Sequence, residues 1–549
     1  MALPPPSPST SESTPVSSRP DHNDLDLEKQ VTAIDEPSRP NPSQLYTTTH
    51  TSTRARVTRT QSLTGRGSLR GRFTHPLSHI KTTEESIVDF DGPDDPYRPI
   101  NWPFRKKLIT TLLYGLTTMG STWASSVYSP AISQVSTEYH VGTEVGILGT
   151  SFLLMGFGLG PLLWAPLSEV YGRKPAVLFP YFIAGCFSFG TATAKDIQTI
   201  LITRFFAGLF GSAPVTNTGG VLGDIWTPGQ RGTAIVGYAF AVVGGPTLGP
   251  IAGGAIVSSY LRWRWTEYIT AIMMMFFLLL DVLILDESYP PMLLVTKARR
   301  LRHETGNWAL HARHEEWDVS VKELANRFLK TPFRLLATPI CFLVALYASF
   351  VYGILYLCLA AIPIQFAEER KWGPVTSELP FLALLLGTIM GGFANIFNNK
   401  FYLQKFEKNG NKAVPEARLP PMMFGSVFFA SGLFIFGWTS STKIFWIAPL
   451  IGLVCMGFGF FTIFQAALNY LIDTFQRFSA SAVAANTFLR SVFAAAFPLF
   501  VNPMFHRLGI GWASSILGFV ACAMIPIPFL FYVYGPKIRL RGKFTSLVT

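Results

Sequence analysis

The sequence predicts an all-α polytopic membrane protein with twelve transmembrane helices in two six-helix bundles and both termini in the cytoplasm. Composition is the first indication: 14% of the residues are charged and 49% are hydrophobic, whereas soluble domains carry about 25% charged residues. Periodicity is the second, because apolar runs of about 20 residues, enough to cross ~30 Å of hydrocarbon, alternate with polar breaks after residue 107. The third is one long polar loop, which divides these runs into two equal sets.

The predicted spans follow one another between residues 108 and 534. The N-terminal bundle, residues 101–285, contains spans at 108–130, 144–166, 176–194, 199–221, 233–257 and 266–285. The C-terminal bundle, residues 337–534, contains spans at 337–362, 377–397, 422–439, 444–470, 480–502 and 512–534. Two sets of six spans with weak internal similarity are typical of two-bundle secondary transporters.

The basic residues of the loops predict the orientation. Arg173, Lys174, Arg231 and a cluster within residues 286–336 fall in loops on one side, and the loops on the other side hold fewer basic residues. Cytoplasmic loops carry the excess of Lys and Arg, so we expect both chain ends in the cytoplasm. The net charge of +12 therefore reflects membrane orientation, and no nucleic-acid partner is expected.

Three polar segments are predicted to lie outside the spans. Residues 1–100 have too few apolar side chains for a core, so a disordered cytoplasmic tail is expected there. Residues 286–336 form a cytoplasmic linker, in which Glu315–Leu329 has the periodicity of an amphipathic helix on the membrane face. Residues 535–549 form a basic cytoplasmic tail.

The sequence contains no pattern that indicates catalysis or a bound cofactor. It has no GxxxxGK[ST] stretch for a nucleotide, and no His, Cys or carboxylate cluster with the spacing of a metal site. No acid/base pair recurs along the chain either. We therefore expect neither an enzyme nor a metal or other cofactor, and a membrane enzyme is the least favoured class.

The loop between spans 2 and 3, Gly160–Lys174, is a candidate gate. Its Gly172 permits a tight turn, and Arg173 can reach a carboxylate on a neighbouring helix end, for which Asp224 is the natural partner. An acid followed by an arginine ends span 10 as it ends span 4. The predicted cytoplasmic gate comprises Glu169, which can face the N-terminus of span 11, and Gly172, Arg173, Lys174, Asp224 and Asp473. Helix capping and positive-inside anchoring are the alternative interpretation.

Span 5 contains an uncharged stretch rich in glycine, Val236–Gly254. A soluble helix would not tolerate this composition, because each interior Gly costs about 1 kcal/mol and each Pro about 3 kcal/mol. In a membrane, neighbouring helices approach such small residues closely. We expect a bent helix whose bare face packs on Gly387, Gly391 and Gly392 of span 8, across the seam between the bundles. The residues of this motif are Gly245, Pro246, Gly249, Pro250, Gly253 and Gly254.

The predicted spans hold few ionisable side chains. Arg204 is expected either to face the interior with a partner or to extend to the outer interface. Glu267 can pair with an arginine of Arg262–Trp265 and is suited to carry a proton, although structural pairing remains the alternative. Asp281 is expected to cap the following loop, and Arg490 to meet carbonyl groups or a substrate anion.

Aromatic and hydrogen-bonding residues of the spans are candidates for a substrate cavity. Aromatic walls with few polar groups suit amphipathic, loosely recognised molecules. The small number of charges argues against a highly charged substrate, and each candidate can instead serve in packing. The candidates are Trp123, Tyr128, Asn217, Tyr352, Gln465 and Asn486.

Three of these segments resemble the signatures of one family. Gly160–Lys174 resembles the cytoplasmic loop signature of the major facilitator superfamily, with Ala165 and Glu169 in place of the usual Gly and Asp. The span-5 stretch is similar to the motif of the drug:proton antiporters of this superfamily, and Arg204–Ala213 resembles their span-4 motif. Ala485–Ser491 and the stretches before spans 1 and 9 look like the fungal twelve-span group.

The resemblance implies the major facilitator fold and a proton-coupled exporter that works by alternating access. It implies that Arg204 takes part in proton transfer, that the proton gradient supplies the energy, and that the substrate is a small amphipathic drug, toxin or secondary metabolite. It further implies a monomer in the lipid bilayer of a fungal plasma membrane. A polyamine or nutrient transporter of the same fold, and a transport-fold membrane sensor, remain the alternatives.

Overall fold

The computed structural model describes residues 86–316, 330–410 and 412–540. Within these ranges the chain is helical, and its β structure consists of one isolated bridge between Ile87 and His311. Residues 1–85, residues 541–549 and most of the predicted amphipathic helix at 315–329 lie outside the described residues. The prediction of an all-helical protein is therefore confirmed for the described part.

The N-terminal half of the described chain contains eight helices. They are α1 (Phe104–Ser126), α2 (Ile132–Glu138), α3 (Thr143–Tyr171), α4 (Arg173–Ala192), α5 (Ile197–Ile225), α6 (Pro228–Ser258), α7 (Arg264–Ile284) and α8 (Pro290–Thr305). Short 3-10 turns lie at Pro99–Asn101, Ser129–Ala131 and Arg313–Glu316. Several of these helices extend beyond the predicted spans: α3 runs five residues past residue 166, to Tyr171.

The C-terminal half contains α9 (Thr331–Leu336), α10 (Pro339–Pro363), α11 (Phe381–Lys408), α12 (Pro420–Trp438), α13 (Ile447–Thr474), α14 (Ser479–Met524) and α15 (Pro526–Leu540). A π-helical turn, Ile364–Glu369, continues α10. Shorter 3-10 turns precede α11, α12 and α14, at Thr376–Glu378, Pro415–Arg418 and Gln476–Phe478. Gly509 has φ 76° and ψ 157°, so the long helix α14 is interrupted there.

Ten helical stretches of the described chain are long and apolar enough to cross a membrane. They comprise α3 to α7, α10 to α13 with their flanking turns, and a last stretch of 62 residues, Ser479–Leu540. Helix α1 is not among them, and its interior face is rich in buried Thr and Ser. The prediction of a polytopic membrane protein is thus confirmed, whereas the number of twelve spans stays a prediction.

The helices pack in two groups. In the first, α3 and α4 flank α5, α4 also contacts α7, and α1 lies against α5, α6 and α7. In the second, α13 packs on α11 and α12, and α14 packs on α10 and α12. The two groups meet mainly where α3 contacts α14 and where α6 contacts α11. We call the end that carries the linker the linker end and the other the distal end.

The glycine face of α6 packs on α1, within its own bundle. A Cβ atom on Gly245 would lie 2.5 Å from the backbone nitrogen of Trp123, and one on Gly253 would lie 2.4 Å from the carbonyl oxygen of Val127. The glycines therefore allow two backbones of one bundle to touch. The predicted contact of this face with span 8 is wrong, because α1 already covers it.

A different set of contacts joins α6 to α11. The ring of Phe240 fills the space beside Gly392, where a Cβ atom would lie 2.1 Å from the ring, and stacks on Phe461 at 5.1 Å. At the distal end, a Cβ atom on Gly254 would lie 2.8 Å from Cγ of Glu378. An aromatic ring in a glycine recess, not a glycine-on-glycine contact, therefore forms the centre of this seam.

The segment before α1 is ordered against the linker, so the predicted disorder of residues 1–100 is wrong for its last part. Val88 donates its backbone N–H to the His311 carbonyl at 2.8 Å, and His311 donates to Ser86 at 3.0 Å. Lys297 lies 2.9 Å from a carboxylate oxygen of Asp91. Two backbone hydrogen bonds, a buried valine and an ion pair offset the ordering entropy of this segment. We call this contact between residues 86–95 and 290–316 the clasp.

His311 and Asp95 are the buried titratable groups of the clasp, and His311 is the one whose charge changes near neutral pH. Its Nδ1 lies 2.8 Å from the Ala309 carbonyl and its Nε2 lies 2.8 Å from the Glu316 carboxylate. Both ring nitrogens face acceptors, so both hydrogen bonds form only in the protonated ring. Burial disfavours the charged ring, but the two hydrogen bonds and the charges of Glu316 and Glu315 outweigh it and raise the pKa of His311.

Gly245→Ala should destabilise the protein by about 1–3 kcal/mol, because the added methyl group meets the backbone of α1. Gly237→Ala is the matched control on the same helix, since a Cβ atom there meets nothing within 4 Å and alanine favours the helix. Thermal unfolding of the purified variants in detergent measures the difference. Equal stability of the two variants would contradict the close approach of α6 to α1.

The clasp should loosen as the pH rises. A histidine whose pKa is raised on docking contributes stability that is complete below its free value of about 6.5 and is lost as the pH passes the raised value. Hydrogen exchange of residues 86–90, corrected for the intrinsic pH dependence, should therefore accelerate above that pH. His311→Gln should remove the transition, and His303→Gln, at an exposed histidine of the same linker, should leave it. An unchanged transition in His311→Gln would contradict the assignment.

Candidate functional site

Arg204 lies in the interior of the N-terminal bundle with its side chain fully buried. Its Nε donates to the Gly149 carbonyl at 2.8 Å, one terminal nitrogen donates to the Ala124 carbonyl at 3.1 Å, and the other donates to the carboxylate of Glu267. The ring of Tyr128 faces the guanidinium at 4.1 Å. Arg204 thus faces the interior, and the alternative of an outer-interface position is wrong.

Glu267 is 2% exposed and pairs with Arg204 alone among the cations of the described residues. The predicted pairing with Arg262–Trp265 is wrong. Arg264 instead lies 2.7 Å from Glu138 and donates to the Ala192 and Ala194 carbonyls. One turn of α7 separates these groups, which leaves Arg264 at the bundle surface and Glu267 inside.

This buried pair links four helices. Arg204 belongs to α5 and Glu267 to α7, while the two carbonyl acceptors belong to α1 and α3. Removing one partner of a buried ion pair costs about 3–5 kcal/mol, because the other charge stays buried without compensation. The protonation state of Glu267 is therefore coupled to the packing of these helices.

A second carboxylate of α7, Asp281, is also buried. Thr117 of α1 donates its hydroxyl to this carboxylate at 2.5 Å. The interpretation of Asp281 as a cap for the following loop is wrong, because its side chain lies inside the bundle. Asp281 lies in the last turn of α7, next to the linker, where a carboxylate commonly faces solvent. The sequence therefore did not predict that its side chain points into the bundle.

Arg173 organises the linker end of the N-terminal bundle. Gly172, at φ 97°, makes the turn between α3 and α4, a conformation that favours glycine. Arg173 Nε then lies 3.2 Å from Asp224 at the end of α5, and a terminal nitrogen donates to the Ser168 hydroxyl at 2.8 Å. The predicted contact between Arg173 and Asp224 is present. Glu169 lies on the last turn of α3, near enough for its charge to act on Asp224.

Sequence reasoning missed Glu287, which caps α4. Its carboxylate accepts the backbone N–H groups of Arg173 at 2.9 Å and of Lys174 at 3.1 Å. A negative charge is favourable at a helix N-terminus. Lys174 in turn donates its Nζ to the Leu285 carbonyl at 2.5 Å. The only local signal was the pair of acids that follows α7, Asp286 and Glu287.

The C-terminal bundle has a similar pair at its linker end. Asp473 on the last turn of α13 lies 3.0 Å from Nε of Arg418, which precedes α12. Arg418 also donates to the Asn399 side chain at 3.0 Å and lies 3.3 Å from the centre of the Tyr402 ring. Sequence reasoning missed Arg418. Its place six spans after that of Arg173 was the available signal.

A small cavity lies between the two bundles. Its open space is about what one water molecule needs, so the bundles are closed around it. Hydrogen bonds join the bundles beside it: the Ser125 and Tyr356 hydroxyls are 2.8 Å apart, and Ser151 donates to the Ala495 carbonyl at 2.7 Å. The lining residues are Thr122, Leu154, Phe157, Pro161, Ser212, Val215, Thr216, Tyr352, Thr487, Arg490 and Ser491.

Of the predicted cavity residues, Tyr352 lines this cavity in the described structure. Tyr128 instead packs on Arg204, and Asn217 lies near the Trp164 carbonyl at 3.4 Å. Trp123 borders the glycine face of α6 through its backbone. Gln465 and Asn486 are buried, and the Gln465 Nε2 and both Asn486 side-chain polar atoms have no hydrogen-bond partner among the described residues.

Two bundles of apolar helices that meet around a central cavity, each with a charged pair at its linker end, have the architecture of a polytopic membrane transporter. The chain belongs to the Major Facilitator Superfamily, whose model matches residues 114–498. The family predicted from the sequence signatures is thus confirmed, and the chain is an integral membrane protein.

Curated fungal relatives are similar over most of the chain. "Efflux pump bik6" of Gibberella fujikuroi is 54% identical over 84% of this chain and 96% of the relative. The "multidrug transporter FLU1" of Candida albicans is 42% identical over 84% of this chain and 76% of its own length. The "Citrinin biosynthesis cluster MFS transporter mrr1" of Monascus ruber is 43% identical over 84% and 92%.

Solved structures show the same fold. The xylose transporter XylE of E. coli, in a partially occluded inward open conformation, matches with a TM-score of 0.55 and 15% identity, over 78% of this chain and 99% of XylE. The human organic anion transporter MFSD10 matches with a TM-score of 0.52 and 14% identity, over 78% of this chain and 100% of MFSD10. At this identity the likeness concerns the fold alone.

Proposed function

We propose that this protein is a proton-coupled secondary transporter that exports a small amphipathic organic compound, a drug, toxin or secondary metabolite, by alternating access. The names of its relatives, an efflux pump, a multidrug transporter and a biosynthesis-cluster transporter, support export. The observation that carries the proton coupling is the buried pair of Arg204 and Glu267.

Proton binding at Glu267 changes the balance of charge inside the N-terminal bundle. A protonated Glu267 leaves the Arg204 cation with carbonyl acceptors on α1 and α3 alone. Both helices also line the central cavity, through Thr122 on α1 and Leu154 and Phe157 on α3. The proton site and the cavity therefore share two helices, and a change at one alters the packing at the other.

The topology that we propose has twelve spans. The interruption at Gly509 divides the 62-residue stretch Ser479–Leu540 into two spans, and α1 adds one to the ten candidate stretches. An even number places both chain ends on one side, and the basic loops place that side in the cytoplasm. The linker end is then cytoplasmic, and we assign the protein to the fungal plasma membrane, where it acts as a monomer.

The linker end would form the cytoplasmic gate, which the two charged pairs would support from within each bundle. Arg173 with Asp224 and Arg418 with Asp473 each join helices of a single bundle, so each pair keeps its bundle end rigid while the gate opens and closes between the bundles. Glu169, Gly172 and Lys174 shape the turn that holds Arg173. The proton gradient supplies the energy, and no cofactor takes part in this proposal.

Glu267→Gln should reduce pH-driven transport by about tenfold or more, because an amide cannot take up and release the proton that the carboxylate carries. The measurement uses proteoliposomes of the full chain under an imposed pH gradient, with a compound to which a deletion strain is hypersensitive. Glu138→Gln removes the same charge at the bundle surface and should transport normally. Undiminished pH-driven flux in Glu267→Gln would remove Glu267 from the coupling.

Net uptake by cells expressing the wild-type protein would favour the nutrient importer instead.

Arg173→Ala and Asp224→Ala should each lower flux about tenfold while the protein stays in the membrane, because the remaining charge of the half-buried pair loses its partner. The double reversal Arg173→Asp with Asp224→Arg should recover part of the flux. Arg300→Ala, which breaks an exposed ion pair of α8 with Glu304, should have little effect. Normal efflux in both single variants would rule out the gate assignment.

A further inference from the structure

Arg490 is a buried cation without a counter-ion among the described residues. It lies on α14, is 5% exposed, and lines the central cavity. Within the described chain it forms no ion pair and no hydrogen bond, and its Nε has no partner. A buried charge is costly unless it is paired. We therefore expect the charge of Arg490 to be neutralised by a group from outside the chain.

Four other arginines that are buried or half-buried have a carboxylate partner, and the half-buried Arg370 donates to three backbone carbonyls. Arg204 pairs with Glu267, and Arg173 with Asp224. Arg418 pairs with Asp473, and Arg539 lies 2.9 Å from Glu416. Each of these five arginines has a carboxylate or backbone carbonyl acceptors, whereas Arg490 at the cavity has neither among the described residues.

Aromatic rings surround the Arg490 guanidinium. The Tyr352 ring centre lies 4.4 Å from its central carbon and the Phe464 ring centre lies 5.1 Å away. The rings of Phe460 and Phe464 stack at 5.9 Å. Cation–π contacts compensate part of the charge, but they leave the planar fork of N–H donors free to bind a carboxylate through two hydrogen bonds.

Asn486 adds a second polar side chain beside Arg490. It stands four residues before Arg490 and therefore on the same face of α14, and both polar atoms of its side chain lack partners among the described residues. Leu154 and Phe157 of α3 add apolar side chains to the lining of the cavity. Aromatic rings and apolar side chains beside a single cation fit an aromatic molecule with a single negative charge.

We propose that Arg490 binds the anionic group of the transported molecule, and that the preferred substrates are aromatic carboxylic acids in their monoanionic form. This inference rests on the proposed export function and names its substrate class. When the bundles separate and the cavity opens, the carboxylate lies against the guanidinium fork, and the aromatic ring of the substrate packs on Tyr352 and Phe464. Neutral molecules of the same shape enter the opened cavity but leave Arg490 uncompensated, so they bind more weakly.

Binding is tested with a matched pair of probes, 1-naphthoate and 1-naphthamide, which share the ring and nearly the size but differ in charge. Ligand-induced thermal stabilisation of the purified full chain reports the affinity. Wild-type protein should bind 1-naphthoate about tenfold or more tightly than 1-naphthamide, and Arg490→Gln should lose that preference. Arg507→Gln, an exposed arginine of the same helical stretch, should retain it. Equal affinity of wild-type protein for the two probes overturns the proposal, and so does an unchanged preference in Arg490→Gln.

The stability of the ligand-free variants separates a binding role from a structural one. Removing an uncompensated buried cation should leave the melting temperature of Arg490→Gln equal to or above that of wild-type protein. A large decrease together with an unchanged probe preference indicates a structural role and contradicts the proposal. If Arg490→Gln does not fold, Arg490→Lys decides: it keeps the charge but not the planar fork, so a weakened preference for the acid supports the proposal and an unchanged preference contradicts it.

A transport measurement distinguishes this inference from the proposed function. Proteoliposomes of wild-type protein with an imposed pH gradient should move 1-naphthoate faster than 1-naphthamide. Flux of 1-naphthamide without flux of 1-naphthoate leaves the exporter intact and overturns the assignment of Arg490. If wild-type protein moves neither probe nor the compound identified by drug sensitivity, the export function fails, and the substrate class fails with it.

Discussion

The compensation of charge inside a membrane domain is the constraint on which the rest of this structure depends. Arg204 is fully buried, and its position is possible because Glu267 and the carbonyls of α1 and α3 surround it. These contacts fix the relative positions of four helices of one bundle. They also place a group that can bind a proton next to the helices that line the cavity, so one arrangement serves both packing and the proposed coupling.

Close backbone approach is the second element of the architecture. The glycine face of α6 lies on α1 and joins helices of the same bundle. The contact of α6 with the other bundle uses Phe240 in the recess at Gly392 and its stack on Phe461. A close backbone contact within the N-terminal bundle and a side-chain contact between bundles suit a protein whose halves move as units.

Contacts at the linker end hold neighbouring helix ends together and attach the segment before α1 to the linker. Arg173 and Arg418 each hold a carboxylate at the end of a neighbouring helix, and Glu287 caps the start of α4. The clasp ties the segment before α1 to the linker through Val88 and His311. Arg490 differs from Arg173 and Arg418. It lines the cavity and has no carboxylate partner among the described residues.

The sequence by itself determined the helical membrane architecture, the family and the pair of Arg173 and Asp224, because apolar length, loop charge and short signatures are local properties. The partner of Glu267, the burial of Asp281 and the helix that covers the glycine face of α6 depended on helix rotation and on contacts distant in the chain. Periodicity identifies the bare face of a helix but not its neighbour, and a charge in a span can be satisfied from several directions. Only the tertiary structure decided that Arg204 has a carboxylate partner and that Arg490 has none within the part of the chain that the structure describes.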